Sequence, residues 1–301
     1  MADDNDDVAT RARKNLQRAQ DHWNPIYEEA KSDLHFLSDD PYAQWSEKDY
    51  NDRVNSGRPA LTIDQLSQFV HQVSNDIRQN TPTLTIIPDG QESSDEAADV
   101  YKGLIRNIEY ISHADDVYDT AANNSVKSSI GFIRIDHEYC SDDSDEQQLV
   151  IKRVINPLAC WIDPDSIECD GRDAKFGIVI DRITKRDFKR LYPGKEVSSF
   201  EADNVDCSKM GDDDLIQIGE YFEADQEEKR GVMVTKKIYR YKLSGKDELA
   251  KTTFPGKYIP LIPVYGEEAW IEGKRHIFSL IRKSKGAQTM YNVWKSLETE
   301  I

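Results

Sequence analysis

The chain has 301 residues, 38% hydrophobic and 9% aromatic, enough to build a packed core in one large or two ordinary domains of roughly 100–200 residues each. With 39 basic and 56 acidic side chains it carries a net charge of −17, and its mean hydropathy is −0.71. That argues against a protein that grips nucleic acid through clustered Lys and Arg. The sequence also lacks any apolar run of about eighteen residues, the length of a membrane span, and the acidic start from Met1 to Asp7 does not read as a secretory leader.

Apolar residues at Leu16, Ala19, Trp23, Ile26, Tyr27, Ala30, Leu34 and Leu37 recur every three or four positions, which predicts one long helix over Val8 to Leu37. Pro25 should bend or interrupt it at Asn24. Ser38 to Pro41 is a polar break. Ser46, with Asp49 three residues on, caps a short helix that ends in the Asn55-Ser56-Gly57-Arg58-Pro59 turn. From Thr62 a strongly amphipathic helix is expected, with Ile63, Leu66, Phe69, Val70, Val73 and Ile77 on one face and Thr81-Pro82 as its stop. Thr83 to Pro88 alternates and is rich in β-branched residues, and so reads as a strand. Two helices follow. Ser94 to His113 has its stripe at Val100, Leu104, Ile108 and Ile111, and the second spans Ala114 to Ser128.

Beyond Ser129 the pattern changes to strands. Gly131 to Tyr139 alternates, the acidic Asp142 to Glu146 stretch forms a turn, and Leu149 to Ile155 returns as the second arm of a hairpin. Further strands are expected at Ala159 to Ile162, Lys175 to Arg182, Leu215 to Phe222 and Val232 to Leu243, and Thr184 caps a short helix before Pro193-Gly194. Residues 201–228 carry eleven acids against the single Lys209. After the Pro-punctuated Tyr258 to Tyr265, helical spacing is expected over Ile277 to Lys283 and again at Met290, Tyr291, Trp294, Leu297 and Ile301. Helices followed by strands indicate an α+β fold: a helical third packed on a strand-rich antiparallel body, ending in helices. The expected division is 1–129 helical, 130–265 strand-rich and 266–301 helical.

No chemistry-bearing motif stands out. The Gly-Lys pairs at Gly194, Gly245, Gly256 and Gly273 lack the rest of a phosphate loop and read as surface turns. The six histidines, His22, His35, His71, His113, His137 and His276, form no metal-ligand spacing. The four cysteines, Cys140, Cys160, Cys169 and Cys207, lack C-x-x-C spacing and read as free thiols. Asp163-Pro164-Asp165 with Asp170 could be drawn as a hard-cation cluster but reads more simply as a Pro-braced turn with solvated carboxylates. No nucleophile elbow occurs, and 56 carboxylates make any acid pair uninformative. No catalytic, cofactor-binding or metal residue is therefore assigned, and the chain is not read as an enzyme. The basic clusters are Arg11 to Lys14, Arg186 with Lys189-Arg190, Lys236-Lys237, and Arg282-Lys283-Ser284-Lys285. The last precedes the final helix and is the best candidate for a phosphate or partner contact, with a solvated helix end as the plainer reading.

The stretch from Arg58 to Pro82, followed by the β-rich run to Pro88, resembles the front of portal proteins of short-tailed, double-stranded-DNA bacteriophages. Matching stretches follow in the same order: Gly103 to Tyr110, Tyr118 to Ala121, Gly131-Phe132, Arg153 to Asp165 with Asn156-Pro157 and Asp163-Pro164-Asp165, and Asp187 to Pro193. The tail, Pro260 to Val264, Gly273 to Ile281 and Gln288 to Glu300, resembles the helix that precedes the family's stem. The resemblance implies a subunit of a ring, usually of twelve copies, at one capsid vertex of the virion, assembled in the host bacterial cytoplasm. Implied partners are further copies of itself, capsid and scaffolding proteins, the terminase motor, tail or adaptor proteins, and double-stranded DNA that passes through without tight binding; no membrane and no cofactor are implied. This chain corresponds to the outer wing, and the stem, clip, tunnel and crown are expected after residue 301. Arg58, Asp76, Arg78 and Arg106 inside the resembling stretches, with Arg282, Lys283 and Lys285, are candidate subunit or partner contacts. The acidic 201–228 segment and the basic Arg282 to Lys285 cluster are possible complementary patches in such a ring. The alternative reading is an acidic soluble binding or hydrolytic domain unrelated to phages.

Overall fold

The structure, a computed structural model, describes residues 7–38, 40, 42–80, 84–88, 94–141, 143–205, 214–229, 232–245 and 247–300. Among them the elements run α1 (Val8–Phe36), α2 (Glu47–Asn55), α3 (Leu66–Gln79), α4 (Asp95–Ile111), α5 (Ala114–Ser128), β1 (Ile130–Tyr139), β2 (Gln147–Arg153), β3 (Cys160–Ile162), β4 (Phe176–Thr184) and α6 (Lys185–Leu191). They continue as β5 (Leu215–Lys229), β6 (Val232–Leu243), β7 (Glu248–Phe254), β8 (Leu261–Tyr265), β9 (Glu267–Ile271), β10 (Lys274–Phe278) and α7 (Lys285–Glu298). The α+β class expected from the sequence is the class observed, with helices first and antiparallel sheets after them. The chain forms two compact units, Met1–Pro25 with Ile155–Pro263, and Ile26–Val154 with Val264–Ile301.

The first unit is built on a five-stranded antiparallel sheet in the order β3-β4-β5-β6-β7. The opening turns of α1 are tied to this sheet at regular helical intervals. Arg11 pairs with Glu223 at 3.1 Å, Asn15 Nδ2 donates to Tyr221 Oη at 2.7 Å, and Trp23 Nε1 donates to the Ile162 carbonyl at 2.9 Å. Trp23, Trp161, Ile162, Ile178, Tyr221 and Phe222 are fully buried there, and the Trp23 indole and the Tyr221 phenol enter the core with hydrogen-bond partners. Phe188 of α6 packs with Ile216 and Ile218. Asp163 is buried, not solvated as expected: its carboxylate accepts the amides of Asp165 at 3.1 Å and Lys175 at 3.1 Å and so closes its own loop.

The second unit holds the remainder of α1, helices α2 to α5 and α7, the β1/β2 hairpin and a two-stranded β9/β10 hairpin. The β1/β2 register, Ile133 opposite Arg153 to Tyr139 opposite Gln147, is the hairpin read from the sequence. Asp142 of its turn lies outside the described residues. A core of Phe36, Leu66, Val70 and Ile281 joins α1, α3 and the segment before α7.

Several expectations are corrected. Pro25 stands inside a continuous α1, so the interruption does not occur; the carbonyl that its missing N–H leaves unpaired belongs to Asp21, and both residues are exposed, on the side of the helix that water reaches. The third helix starts at Leu66, four residues later than expected. Residues 84–88 form no strand, since a β-rich run becomes a strand only with a partner to pair with; Thr83 lies outside the described residues. Ile277 to Lys283 is not helical: Lys274–Phe278 pairs with β9, and only Arg282–Ser284 makes a 3-10 turn. The β9/β10 pair stands inside the 266–301 stretch expected to be helical, and no strand was expected at β7. The β9/β10 turn is Glu272-Gly273, both at positive φ (52° and 75°), the two-residue loop that matches strand twist.

Candidate interaction surface

Helix α7 is inverted relative to its sequence pattern. Gln288, Asn292 and Ser296, spaced i, i+4, i+8, are buried, whereas Met290, Trp294 and Leu297 are exposed. The cause lies opposite, in the extended segment before α3. The amides of Leu61, Ile63 and Gln65 donate to Ser296 Oγ (2.9 Å), Asn292 Oδ1 (3.1 Å) and Gln288 Oε1 (3.3 Å), and Gln288 Nε2 returns a bond to the Ile63 carbonyl at 2.7 Å. Two residues of extended chain advance about 6.8 Å and four residues of helix about 6.0 Å, so the repeats match and each alternate amide meets the next polar side chain. Gln44 Oε1 completes the network by accepting from Gln288 and Asn292 at 3.0 and 2.9 Å. This pairing runs along non-helical backbone at 61–65, and helix α3 begins only after it. Asp64 instead caps Leu66 and Ser67 at 2.9 and 3.0 Å.

The outward face of α7 borders a groove of about 290 Å³ lined by Gln65, Leu66, Phe69, Ala287, Gln288 and Tyr291. At the start of α7, Asp33 is fully buried and gathers Arg282 (3.0 Å), Lys285 (2.7 Å) and Ser279 Oγ (2.6 Å). Arg282 also pairs with Glu29 and reaches the Ile277 carbonyl at 3.3 Å. Asp33 was missed because Leu34 next to it completes the apolar period; in the fold Asp33 takes the inward position and Leu34 is exposed.

Of the candidate contacts, Arg282 and Lys285 meet on Asp33, and Arg282 shares the Phe278 ring with Lys283. Lys283 pairs with Glu267. Arg58 follows α2, Asp76 lies on α3 and Arg106 on α4, all exposed. Arg78 and its partner Asp119 (2.5 Å) line a cleft of about 660 Å³ together with Ile77, Asp115, Tyr118 and Val264. Burial and the neighbouring Glu109 push the Tyr118 phenol up to about 12. Among the described residues no group of three or more His, Cys, Asp or Glu is placed to hold a metal, and no helix is long and apolar enough to cross a membrane.

Residues 13–301 match the family model described as phage P22-like portal protein. The chain belongs to that family. A curated relative, the portal protein of Acyrthosiphon pisum secondary endosymbiont phage 1, is 22% identical over 285 residues, covering 79% of this chain and 39% of the relative. The chain therefore spans well under half the length of that portal protein. The family match runs through both compact units, so helices and sheets alike are portal-family structure.

Proposed function

We propose that this chain is the wing-forming part of a portal subunit, a structural component of a ring at the capsid vertex of a phage virion. In this reading the ring is assembled from copies of the chain in the host cytoplasm, with capsid and scaffolding proteins around it. It serves as the dock for terminase and for tail or adaptor proteins, and as the passage for double-stranded DNA during packaging and ejection. The single observation that carries the reading is the family match over residues 13–301. The charge is compatible with it: a conduit for a polyanion must not bind each phosphate it passes, and a chain of net charge −17 offers little non-specific grip.

Disrupting the gene in the phage tests the proposal. Heads formed without the protein should lack packaged DNA, and purified particles of the intact phage should contain the polypeptide. Infectious, DNA-filled particles assembled without it would refute the reading.

A further inference from the structure

The cleft beside α3 and α5 lies wholly within the second unit. Its volume of about 660 Å³ falls in the range of small-molecule sites, roughly 300–1,000 Å³. The apolar lining is Ile77 of α3, Ala121 and Ala122 of α5, Ile133 of β1 and Val264 of β8. The charged lining is Asp115, Asp116 and Asp119 against Arg78 alone, three carboxylates to one cation.

The period of α5 sets which side chains share the cleft. At about 100° per residue, Asp115, Tyr118, Asp119 and Ala122 fall within an arc of about 100°, beside the arc of the buried Ala114, Val117, Ala121, Ser125 and Ser128. Asp115 and Asp119 therefore stand one turn apart on one face, where like charges repel. Acids in the first turn of a helix are ordinary, and Asp115 and Asp116 alone would mark no site. Asp119 differs, because it belongs to the second turn and its side chain is only 23% exposed beside the aliphatic floor. Its partner Arg78 reaches it from α3 with a side chain 61% exposed, so that cation stands toward water and leaves the floor uncovered. Asp115 has no ion-pair partner among the described residues. Tyr118 commits its hydroxyl to Glu109 at 3.2 Å and so offers the cleft its ring, a surface that attracts cations.

We propose that this cleft binds a small organic cation with an aliphatic body, a primary alkylammonium, its charged end at Asp115 and Asp119 and its chain against Ile77, Ile133 and Val264. The volume selects a small occupant over a docked helix, since about 660 Å³ holds only about 8 Å of a helix roughly 10 Å wide, under two turns. The carboxylates select an amine over an alcohol, because a hydrogen bond between charged groups is about twice as strong as a neutral one. This site lies beyond the portal reading and does not depend on it.

Isothermal titration of the 301-residue chain with n-hexylammonium, n-hexanol and hexanoate, at about 150 mM salt to screen distant charge, tests the proposal. Hexylammonium should saturate one site with a dissociation constant of about 1 mM, ordinary for a ligand of its size. Hexanol should bind at least about 10-fold more weakly, and hexanoate more weakly still. Asp115→Asn and Asp119→Asn should each weaken hexylammonium at least about 5-fold. Arg78→Gln removes the competing cation and should tighten it about 3-fold. Asp99→Asn, at an exposed carboxylate on α4, should change nothing, which separates the cleft from the diffuse attraction of a chain of net charge −17. Unchanged circular dichroism and melting confirm folding, and the exposed Asp115 carries the test if Asp119→Asn does not fold. Hexanol binding as tightly as hexylammonium overturns the proposal, as does an equal loss from Asp99→Asn or a loss from Arg78→Gln. Absence of saturation up to about 20 mM, well above the expected constant, overturns it too. The portal reading is judged separately, by the packaging phenotype.

Discussion

Asp33 places a buried charge in the second unit. It is a carboxylate with no exposure, held by one guanidinium, one ammonium and one hydroxyl. Removing one partner of a buried charge cluster leaves the others uncompensated, so Asp33→Ala should destabilise the protein by about 3 kcal/mol in urea unfolding. Glu29, which touches the same Arg282 but is mostly exposed, should cost less than about 1 kcal/mol when changed to Ala. Equal losses from the two substitutions would contradict this account of the cluster. In the first unit, the hydrogen bond and charge of Arg18 hold Asp165 below the usual carboxylate range. Burial pushes Asp173 up, but bonds from Ser166 and the amides of Ile167 and Glu168 outweigh it and leave this carboxyl lowered too. A lowered folded-state pKa contributes stability that is present above the unfolded value, about 3.9, and is lost as pH falls through the folded value. The melting temperature should therefore drop below about pH 4, and Arg18→Gln should make that drop shallower. Sequence alone could not have ranked these carboxylates, since 56 of them look alike until burial separates a few.

Among the elements, α7 shows most clearly how pattern and packing can part. Its apolar spacing was legible and its helix formed, but the side that the spacing marked as buried faces outward. Two features explain this: the polar i, i+4, i+8 series Gln288, Asn292, Ser296, which was visible in the sequence, and the extended 61–65 segment, which was not predictable from local spacing. Asn292→Leu should cost about 1–3 kcal/mol despite adding apolar surface, because it leaves the Ile63 amide without its acceptor and takes from Gln44 Oε1 one of its two donors. Trp294→Gln should leave the melting temperature of the monomeric chain nearly unchanged. The reverse ranking would show that α7 packs by its apolar face. The junction of α5 and β1 depends on a different constraint. A Cβ at Gly131 would lie 2.1 Å from the Ala121 carbonyl oxygen, so Gly131→Ala must push strand and helix apart and should destabilise by about 1–3 kcal/mol in thermal melts. Caps at Ser46 and Thr184 were readable because each is a local exchange between a side chain and an amide three residues on. The β7, β9 and β10 strands pair with sequence neighbours but were not readable, since none of them alternates between buried and exposed positions.

For the whole molecule, the net charge of −17 offers little electrostatic grip on nucleic acid. Electrophoretic shift at about 150 mM salt should show no retention of a DNA duplex at protein concentrations below about 10 μM, where non-specific binders of micromolar affinity begin to act. Micromolar binding with a steep salt dependence would contradict the picture of a wall that DNA passes. Composition, the order of helices before strands, the hairpin after Ser129 and the portal-family resemblance were all determined by the sequence itself, because they depend on local periodicity, caps and residue order. Which face each helix buries was decided only in three dimensions. Leu34 gave its inward place to Asp33, α4 left Val100, Leu104 and Ile111 of its stripe exposed, and α7 buried its amides and hydroxyl against the 61–65 backbone. The physical reason is that periodicity marks which face of a helix is apolar, while the fold's unmet hydrogen bonds and charges determine which face is buried.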